Sequence, residues 1–315
     1  MIIYYYLCIH ILSFRTAEQK MKIAKLFAFS YICTILTACN LNNSHKTLMG
    51  GIAADATNSN IESYNTANDV SSLQSPTHEK TAGTNSTELE LPAPLKNTHE
   101  QILKRTGYTV SYNSNTLLPN WVAWHLTANH TKGNVKRPQR AFHEDEDVKQ
   151  PRATDNDYYN SGYDRGHMCP AADNKWSEKA MIESFLFTNM CPQNHNLNVG
   201  DWNELENACR KWAQRYGDIY IVSGPVIYKK TRHKTIGKNK VVVPDAFFKV
   251  ILCMKGSPKA IAFIYKNEAG NKPKSDYVNT VDEVERITGI DFFPALPDHI
   301  ERKVEAKYSL SDWGL

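Results

Sequence analysis

The sequence has no strong excess of charge of either sign. Its 315 residues carry 37 Lys and Arg against 33 Asp and Glu, which gives a formal net charge of +4 at pH 7. So small an excess does not by itself indicate a nucleic-acid-binding protein, and any such function must depend on local basic clusters. The remaining composition, with 41% hydrophobic and 22% charged residues, is that of an ordinary globular protein of one or two domains.

The N-terminal part lacks an apolar run long enough to span a membrane. Residues 26–36 are mostly apolar, but a run of this length is too short to cross a bilayer comfortably. With Lys22 and Lys25 before it, the run has the charge layout of a secretory signal. It ends at Leu36-Thr37-Ala38-Cys39, which resembles the bacterial lipobox, whose cysteine is lipidated and becomes the first residue of the mature protein.

These features predict three segments. Residues 1–39 are expected to comprise an upstream extension, with translation starting at Met21, and a lipoprotein signal peptide. Residues 40–98 are rich in Asn, Ser, Thr and Ala and are expected to form a flexible tether, and residues 99–315 to form the folded domain. The protein is therefore predicted to be exported and held at a bacterial envelope membrane through Cys39, on the periplasmic or cell-surface face. An ordinary signal peptide with a coincidental cysteine is the alternative.

Cysteine is scarce once the segments predicted to be removed are set aside. Four cysteines fall within the predicted domain: Cys169, Cys191, Cys209 and Cys253. An even number in an oxidising compartment permits two disulfides, with three possible connectivities. Three of these cysteines and His195 are also residue types that bind zinc, but their spacing lacks the paired short spacers of compact zinc sites. Zinc is therefore the minor alternative.

The hydrophobic pattern of the domain predicts more strands than helices, without regular alternation. Runs that predict strands occupy residues 108–113, 120–126, 185–190, 219–223, 247–252 and 260–265. Helices are predicted at residues 177–184 and 281–288. A third helix is predicted to begin at a capping box formed by Asp201 and Glu204 and to end at Gly217. A mixed α+β fold is therefore expected rather than a parallel α/β fold.

The stretch YDRGHMCP, residues 163–170, concentrates reactive side chains in the middle of the domain. It places Asp164, Arg165, Gly166 and His167 in succession. Charged residues are rarely buried without partners, glycine permits close approach of the backbone, and histidine exchanges protons near neutral pH. Taken alone, the motif is equally consistent with a surface turn that contains an Asp–Arg ion pair.

Further motifs follow this box in a fixed order. They are Asn189-Met190-Cys191-Pro192-Gln193, Leu197-Asn198, Trp202, Leu205-Glu206, Arg210, residues 219–225, residues 243–245 with Lys249, and residues 288–294. Together with the Asp-Arg-Gly-His box, the series resembles the DNA/RNA non-specific endonucleases of the ββα-metal superfamily, over roughly residues 105–305. The resemblance implies an α+β fold with a mainly antiparallel sheet and a ββα-metal active-site motif.

The resemblance assigns roles to three residues of a phosphodiester-hydrolysing site. Such hydrolysis needs an activated water, a cation near the phosphoryl oxygens and stabilisation of the leaving oxygen. His167 matches the family's general base. Asn198 matches its ligand for Mg²⁺, a cation that prefers oxygen ligands and keeps several waters, and Mn²⁺ or another divalent cation could take its place. Glu206 matches the residue that reaches the hydrated metal, and its alternative is a surface ion pair with Arg210 one helical turn away.

Arginines in the matched motifs are expected to contact phosphate, because a guanidinium can bind it through two hydrogen bonds. Arg165 and Arg210 match directly. Arg140 matches a family arginine that lies before an aromatic residue, here Phe142, and its alternative is a solvated loop charge. Asp164 is expected to orient its neighbours.

Further expectations concern the surroundings of the site. Asn189 is expected either to touch the substrate or to hold the site together. Because the family places the strands of the two motifs side by side, a Cys169–Cys191 disulfide is one hypothesis. A basic loop is expected to follow a nucleic-acid backbone without reading its sequence, or to be a solvated hairpin tip. Its basic residues are Lys229, Lys230, Arg232, Lys234, Lys238 and Lys240.

The sequence therefore predicts a Mg²⁺-dependent endonuclease that hydrolyses both DNA and RNA. The resemblance implies products with 5′-phosphate ends. The alternative is a lipoprotein domain of the same fold that binds nucleic acid or a protein partner without cutting it. The presence of all the matched residues favours the enzyme.

Overall fold

The computed structural model of the protein describes residues 88–228 and 232–315. The predicted signal peptide, the anchor at Cys39 and the tether up to residue 87 lie outside the described residues, as do Lys229 and Lys230 of the basic loop. Within the two described ranges, no helix has the length and apolar character needed to cross a membrane.

Eleven strands are present in the described residues: β1 (Gln101–Lys104), β2 (Thr109–Asn113), β3 (Leu118–Thr127), β4 (Asp164–His167), β5 (Met190–Gln193), β6 (Asp218–Val226), β7 (Thr235–Ile236), β8 (Val241–Val242), β9 (Ala246–Cys253), β10 (Lys259–Lys266) and β11 (Val278–Asn279). Seven of them form one antiparallel sheet in the order β1-β2-β3-β6-β9-β10-β11. The strands β4 and β5 pair in a separate ribbon, and so do β7 and β8. The prediction of an α+β fold with a mainly antiparallel sheet is confirmed.

The described part of the chain also contains seven α-helices: α1 (Asp155–Tyr158), α2 (Glu178–Glu183), α3 (His195–Leu197), α4 (Asn203–Tyr216), α5 (Val281–Thr288), α6 (Asp298–Glu305) and α7 (Leu310–Trp313). The Ser177 side chain caps α2 by accepting a hydrogen bond from the amide of Ala180. Gly217 ends α4 with a φ of 98°, a conformation that favours glycine.

The sheet is covered on both faces, and β9 shows why its central strands are almost entirely apolar. Successive side chains of a strand alternate between the two faces. Phe247 and Ile251 belong to the core cluster that includes the apolar side of α4, whereas Phe248 and Val250 belong to a second cluster with α5 and α6. Each large apolar side chain buried in this way contributes about 1.5–3 kcal/mol to folding.

The last residues of the predicted tether pack on the folded domain. Leu89, Leu91 and Leu95 contact the second core cluster. The backbone amide of Ala93 donates a hydrogen bond to the carbonyl of Asp291 at 2.9 Å. The folded domain therefore begins before residue 99, because this segment packs on the second core cluster through its three leucines.

The strand predicted at residues 185–190 is wrong in its bounds. Phe187–Asn189 forms a 3₁₀ turn, and the strand β5 follows it and contains Pro192. The proline is tolerated because β5 is paired on one side only. On its other side the Pro192 carbonyl accepts a hydrogen bond from Asn267 at 3.0 Å, so the proline nitrogen also faces away from β4.

The capping box predicted for Asp201 and Glu204 is also wrong. A wide turn at Asn198–Trp202 precedes α4, and no side chain caps that helix. The Asp201 carboxylate instead accepts hydrogen bonds from the Tyr277 hydroxyl at 2.6 Å and the Asn271 amide at 2.7 Å. These contacts anchor the turn that carries Asn198.

Candidate active site

The ribbon of β4 and β5, followed by α4, forms the frame of the site. The antiparallel register places His167 opposite Met190 and Gly166 opposite Cys191. Glycine is required at residue 166 because a side chain there would collide with that of Gln193. After β5 the chain continues through α3 and the wide turn into α4, which completes two strands and a helix in sequence order.

The His167 ring lies against two aromatic rings. Its centroid is 5.0 Å from that of Phe185 and 5.8 Å from that of Phe142. Its Nε2 atom is buried and has no hydrogen-bond partner. Burial, with a smaller contribution from the charge of Arg137, lowers the pKa of His167 to about 3. The imidazole is therefore neutral at physiological pH, which is the protonation state that a general base requires.

Asp164 holds the side chain of Asn198. Its Oδ2 atom accepts a hydrogen bond from the Asn198 side-chain amide at 2.9 Å and lies 2.9 Å from Nδ1 of His195. The amide nitrogen of Asn198 is thereby engaged, and its side-chain oxygen forms no hydrogen bond with the described residues. This contact is what an orienting role for Asp164 requires.

Glu206 projects from the start of α4 into a desolvated region. Burial raises the pKa of Glu206 to about 7, and the charge of Lys249 opposes this shift. Lys249 is itself buried in the sheet, with its ammonium 4.4 Å and 4.9 Å from the ring centroids of Trp202 and Trp124. The same ammonium lies 3.4 Å from the carbonyl oxygen of Met168. The buried Lys249 therefore places a positive charge close enough to the site to act on Glu206.

Arg210 pairs with Asp173, so the alternative of a surface ion pair with Glu206 is wrong. The guanidinium donates hydrogen bonds at 2.8 Å to both Asp173 Oδ1 and Asn207 Oδ1. Asp173 also accepts a hydrogen bond from the Trp124 indole at 3.1 Å, and burial raises its pKa while Arg210 opposes the shift. Sequence reasoning missed Asp173, because its partner lies 37 residues away in the chain.

Four residues predicted to act in catalysis line a single cleft of about 350 Å³. Small and apolar side chains form the rest of its wall, among them Ala171, Ala172 and Phe185. The polar and charged residues that line it are Arg137, His167, Asn198, Asn203, Glu206 and Arg210. The fold therefore brings together residues spread over 74 positions of the sequence.

Arg137, and not Arg140, is the loop arginine at this cleft. The Arg137 guanidinium carbon lies 4.7 Å and 5.0 Å from the ring centroids of Phe185 and Phe142, the rings that flank His167. Arg140 is exposed, has a φ of 50° and does not line the cleft. The placement of Arg140 in the site is therefore corrected, because the loop brings Arg137 and not Arg140 to the wall of the cleft.

Arg165 lies two residues before His167 on β4 but is directed towards α1. Its Nε atom donates a hydrogen bond to Asp155 Oδ1 at 2.6 Å, and its guanidinium carbon lies 5.4 Å from the Phe142 ring centroid. Arg165 does not line the cleft. A phosphate contact by Arg165 therefore requires its ion pair with the exposed Asp155 to open.

Asn189 is a buried clamp between two segments of the site. Its Oδ1 atom accepts a hydrogen bond from the Cys169 amide at 2.9 Å, and its Nδ2 atom donates to the carbonyls of Cys169 and Ser184 at 2.8 Å. The residue is fully buried and absent from the cleft wall. Of its two expected roles, the geometry supports holding the site together.

The four cysteines of the domain are buried free thiols. The hypothesis of a Cys169–Cys191 disulfide is therefore wrong, because the register places Cys191 opposite Gly166, three residues before Cys169. The zinc alternative is also wrong. Within the described ranges, the side chains of Cys169, Cys191, Cys209 and His195 do not converge on a common point.

The described part of the basic loop forms a hairpin next to the ribbon. Asn239 donates hydrogen bonds to the Asp157 carboxylate from its backbone and its side chain, at 2.9 Å and 2.8 Å. The ammonium of Lys234 lies 4.7 Å from the ring centroid of Tyr163, the residue before β4. The exposed basic residues of this hairpin are Arg232, Lys234, Lys238 and Lys240. The hairpin therefore presents positive charge beside the start of β4.

The donor set of the cleft fits a hard divalent cation. Asn198 offers a side-chain oxygen that is free of hydrogen bonds, and Glu206 offers a carboxylate on the same cleft. Oxygen atoms are the ligands that Mg²⁺ prefers, and few protein ligands suffice because Mg²⁺ retains several waters.

Comparison with known proteins identifies the family. The DNA/RNA non-specific endonuclease family matches residues 85–299, well over half of the chain. The chain is 39% identical over 206 residues to the mitochondrial nuclease EXOG of Danio rerio, and the match covers 61% of this chain and 60% of that protein. It is 32% identical over 207 residues to mitochondrial endonuclease G of Homo sapiens, with 62% and 70% of the two chains covered. The crystal structure of an EndoG/EndoGI complex matches with a TM-score of 0.62 and 29% identity, over 69% of this chain and 95% of that chain.

The fold and the arrangement of the ribbon and α4 are those of a ββα-metal nuclease. The chain belongs to the DNA/RNA non-specific endonuclease family. It spans 60% of the length of the Danio rerio relative and 56% of its Homo sapiens counterpart.

Proposed function

We propose that the chain is a hydrolase that cuts DNA and RNA with little sequence preference and depends on a divalent cation, Mg²⁺ by preference. The observation that carries the proposal is the convergence of His167, Asn198, Glu206 and Arg210 on one cleft. A base, oxygen donors and a guanidinium are the groups that phosphodiester hydrolysis needs. Membership of the family and the nuclease relatives support it.

His167 accepts a proton from the attacking water. The depressed pKa keeps its imidazole neutral, and the rings of Phe142 and Phe185 hold it in one orientation. A positioned general base of this kind contributes about 10²- to 10⁴-fold to the rate.

Asn198 and Glu206 would hold the cation, Asn198 through its free side-chain oxygen and Glu206 through its carboxylate. When bound, such a cation polarises the phosphoryl group and stabilises charge on the leaving oxygen. Asp164 keeps the Asn198 oxygen directed at the cleft. The 3′ oxygen is the leaving group in this proposal, which gives 5′-phosphate ends.

Arg137 and Arg210 bind the phosphate that is cut, since both guanidinium groups line the cleft. Asp173 accepts a hydrogen bond from the Arg210 guanidinium and so holds it in position. The exposed lysines of the basic hairpin contact neighbouring phosphates, which carry no sequence information. Because A-form and B-form backbones both present such phosphates, these contacts are compatible with RNA and DNA alike.

A His167→Ala variant tests this function. The wild type should digest plasmid DNA and RNA in Mg²⁺. The variant should keep the circular dichroism spectrum of the wild type but lose about 10²- to 10⁴-fold in rate. His125→Ala is the matched control, because His125 stacks on Tyr220 at 4.4 Å and does not line the cleft. A His167 variant that cuts like the wild type refutes the assignment. Saturable binding of DNA without cleavage by the wild type would favour the non-catalytic alternative.

We also propose that the protein is exported and held at an envelope membrane by a lipid on Cys39. The proposal depends on the short apolar segment and the Leu-Thr-Ala-Cys sequence. Metabolic labelling with a radioactive fatty acid in a bacterial host should label the wild type, and not a Cys39→Ala variant. Equal labelling of both proteins would refute it.

A further inference from the structure

A cluster of carboxylates lies on the face of the sheet opposite the cleft. Asp282 and Glu285 are three residues apart on α5 and therefore on one side of that helix, and Glu305 is the last residue of α6. One oxygen atom from each of the three side chains lies within 4.8 Å of the other two. Val284 and Val304 of the same helices pack in the second core cluster, whereas α4 packs in the first.

Glu305 distinguishes this cluster from an ordinary acidic surface. The residue is 6% exposed, and its Oε1 atom is buried without a hydrogen-bond partner. In the part of the chain that the structure describes, no Lys, Arg or His forms an ion pair with Asp282, Glu285 or Glu305. Buried carboxylates are normally paired with a cationic group or coordinate a metal ion.

The surroundings add negative charge, and among the described residues they offset it at Glu285 alone, whose Oε1 atom accepts a hydrogen bond from the Phe292 backbone amide at 2.7 Å. Asp291 and Glu301 act on Glu305 with further negative charge. Glu305 also stands at the C-terminal end of α6, where the helix dipole disfavours a carboxylate. The nearby Arg286 and Arg302 are paired with acidic residues of their own helices. A cation between α5 and α6 would compensate the negative charges of Asp282, Glu285 and Glu305.

We propose that Asp282, Glu285 and Glu305 bind a Ca²⁺ ion. Oxygen atoms that share one Ca²⁺ at its usual 2.3–2.6 Å lie at most about 5 Å apart, so the observed spacing needs little movement of the side chains. The donors are all hard oxygen atoms, with no thiol or imidazole of the kind that zinc prefers. Ca²⁺ also tolerates an irregular shell completed by waters.

The bound ion would join α6 to α5 and so hold the C-terminal part of the chain against the back of the sheet. It lies on the other face from His167 and Asn198, and its effect is therefore on stability and not on the chemical step. This site is independent of the cation proposed for the cleft.

Calorimetric titration and thermal unfolding of the purified protein, first stripped with EDTA, test the site with Ca²⁺ alone as the probe. An Asn198→Ala background removes the ligand proposed in the cleft, so that the remaining Ca²⁺ binding reports the second site. At a Ca²⁺ concentration about 100 times the Kd, the melting temperature should rise by roughly 5–10 °C. Glu305→Gln should abolish this rise while leaving nuclease activity of the otherwise wild-type protein unchanged.

Glu301→Gln is the matched control, because it removes a neighbouring negative charge without removing one of the three oxygens. It should keep the Ca²⁺-dependent rise. Asp282→Asn, at an exposed position, should lose it, and this variant keeps the test decisive if Glu305→Gln folds poorly. The proposal is wrong if Ca²⁺ raises the melting temperatures of the Glu305→Gln and Asp282→Asn proteins as much as that of the Glu301→Gln control. It is also wrong if Ca²⁺ raises the melting temperature of none of these proteins, a result that would indicate that Glu305 is buried as a protonated acid.

Discussion

Asp164 Oδ2 and the side-chain amide of Asn198 lie 2.9 Å apart, and this contact decides which atom of Asn198 faces the cleft. An asparagine side chain without such a partner can turn its NH₂ group to the same place. Residues that orient a metal ligand in this way are typically worth 10- to 100-fold in metal affinity or activity.

The first prediction is that Asp164→Ala weakens Mg²⁺ binding about 10- to 100-fold, because Asn198 is no longer held with its oxygen towards the cation. Activity should be lost at limiting Mg²⁺ and largely restored when the Mg²⁺ concentration is raised. Calorimetric titration and rates measured against Mg²⁺ concentration report the two effects. Asp218→Ala, which removes a carboxylate paired with His125 away from the cleft, is the control. Unchanged Mg²⁺ affinity in the Asp164 variant would remove the orienting role.

Much of the fold was predictable from the sequence because the central strands are buried on both faces. The strand predicted at residues 247–252 lies inside β9 (Ala246–Cys253), and the helix predicted at residues 281–288 has the bounds of α5. The strands β1, β7, β8 and β11 are two to four residues long and were not predicted, because such short segments show no clear period. The strand at β5 begins later than predicted because the 3₁₀ turn before it is as fully buried as the strand, so burial does not mark the boundary between them.

The site residues that belong to sequence motifs in a fixed order, such as His167 and Asn198, were predictable. The site was not predictable where a contact depends on tertiary packing. Asp173 meets Arg210 across 37 residues, and nothing in its own neighbourhood indicates this. The choice between Arg137 and Arg140 likewise depends on the path of a loop, which spacing to an aromatic residue does not determine.

The second prediction follows from the raised pKa of Glu206, about 7 in the metal-free protein. Below this pH the carboxyl group holds a proton and is a poor acceptor for the waters of a cation, and above it the group is charged. Mg²⁺ binding should therefore release a proton near pH 7, and affinity should fall as the pH is lowered from 8 to 6, by at most about tenfold per pH unit. Calorimetry in two buffers of different ionisation enthalpy measures the proton release.

A Glu206→Gln variant provides the comparison for this coupling. It should bind Mg²⁺ more weakly at pH 8 and show little change in affinity between pH 6 and pH 8. Proton release that persists in the variant would mean that another group is responsible.

The third prediction concerns Lys249, which is 1% exposed and opposes the rise in the pKa of Glu206. Replacing it by Met keeps the apolar stem but removes the charge, so the pKa of Glu206 should rise further. The acid limb of the kcat/KM profile should then move to higher pH. A purely structural role would lower activity at every pH without moving the limb. Lys266→Met, whose side chain is 77% exposed, is the control on a neighbouring strand.

The fourth prediction separates the two arginines of the loop before Phe142. Arg137 lines the cleft, and a hydrogen bond to a charged group contributes about 1.5–3 kcal/mol, which corresponds to roughly 10- to 100-fold in rate. Arg137→Ala should lower kcat/KM by this factor, whereas Arg140→Ala should leave it nearly unchanged. Because the Arg137 charge also lowers the pKa of His167, the Arg137 variant should show a higher pKa for this imidazole by NMR titration. Arg137→Lys should restore the low pKa but only part of the rate, since an ammonium does not bind phosphate through two parallel hydrogen bonds. Equal losses of rate in the Arg137→Ala and Arg140→Ala proteins would contradict the assignment of Arg137 to the cleft.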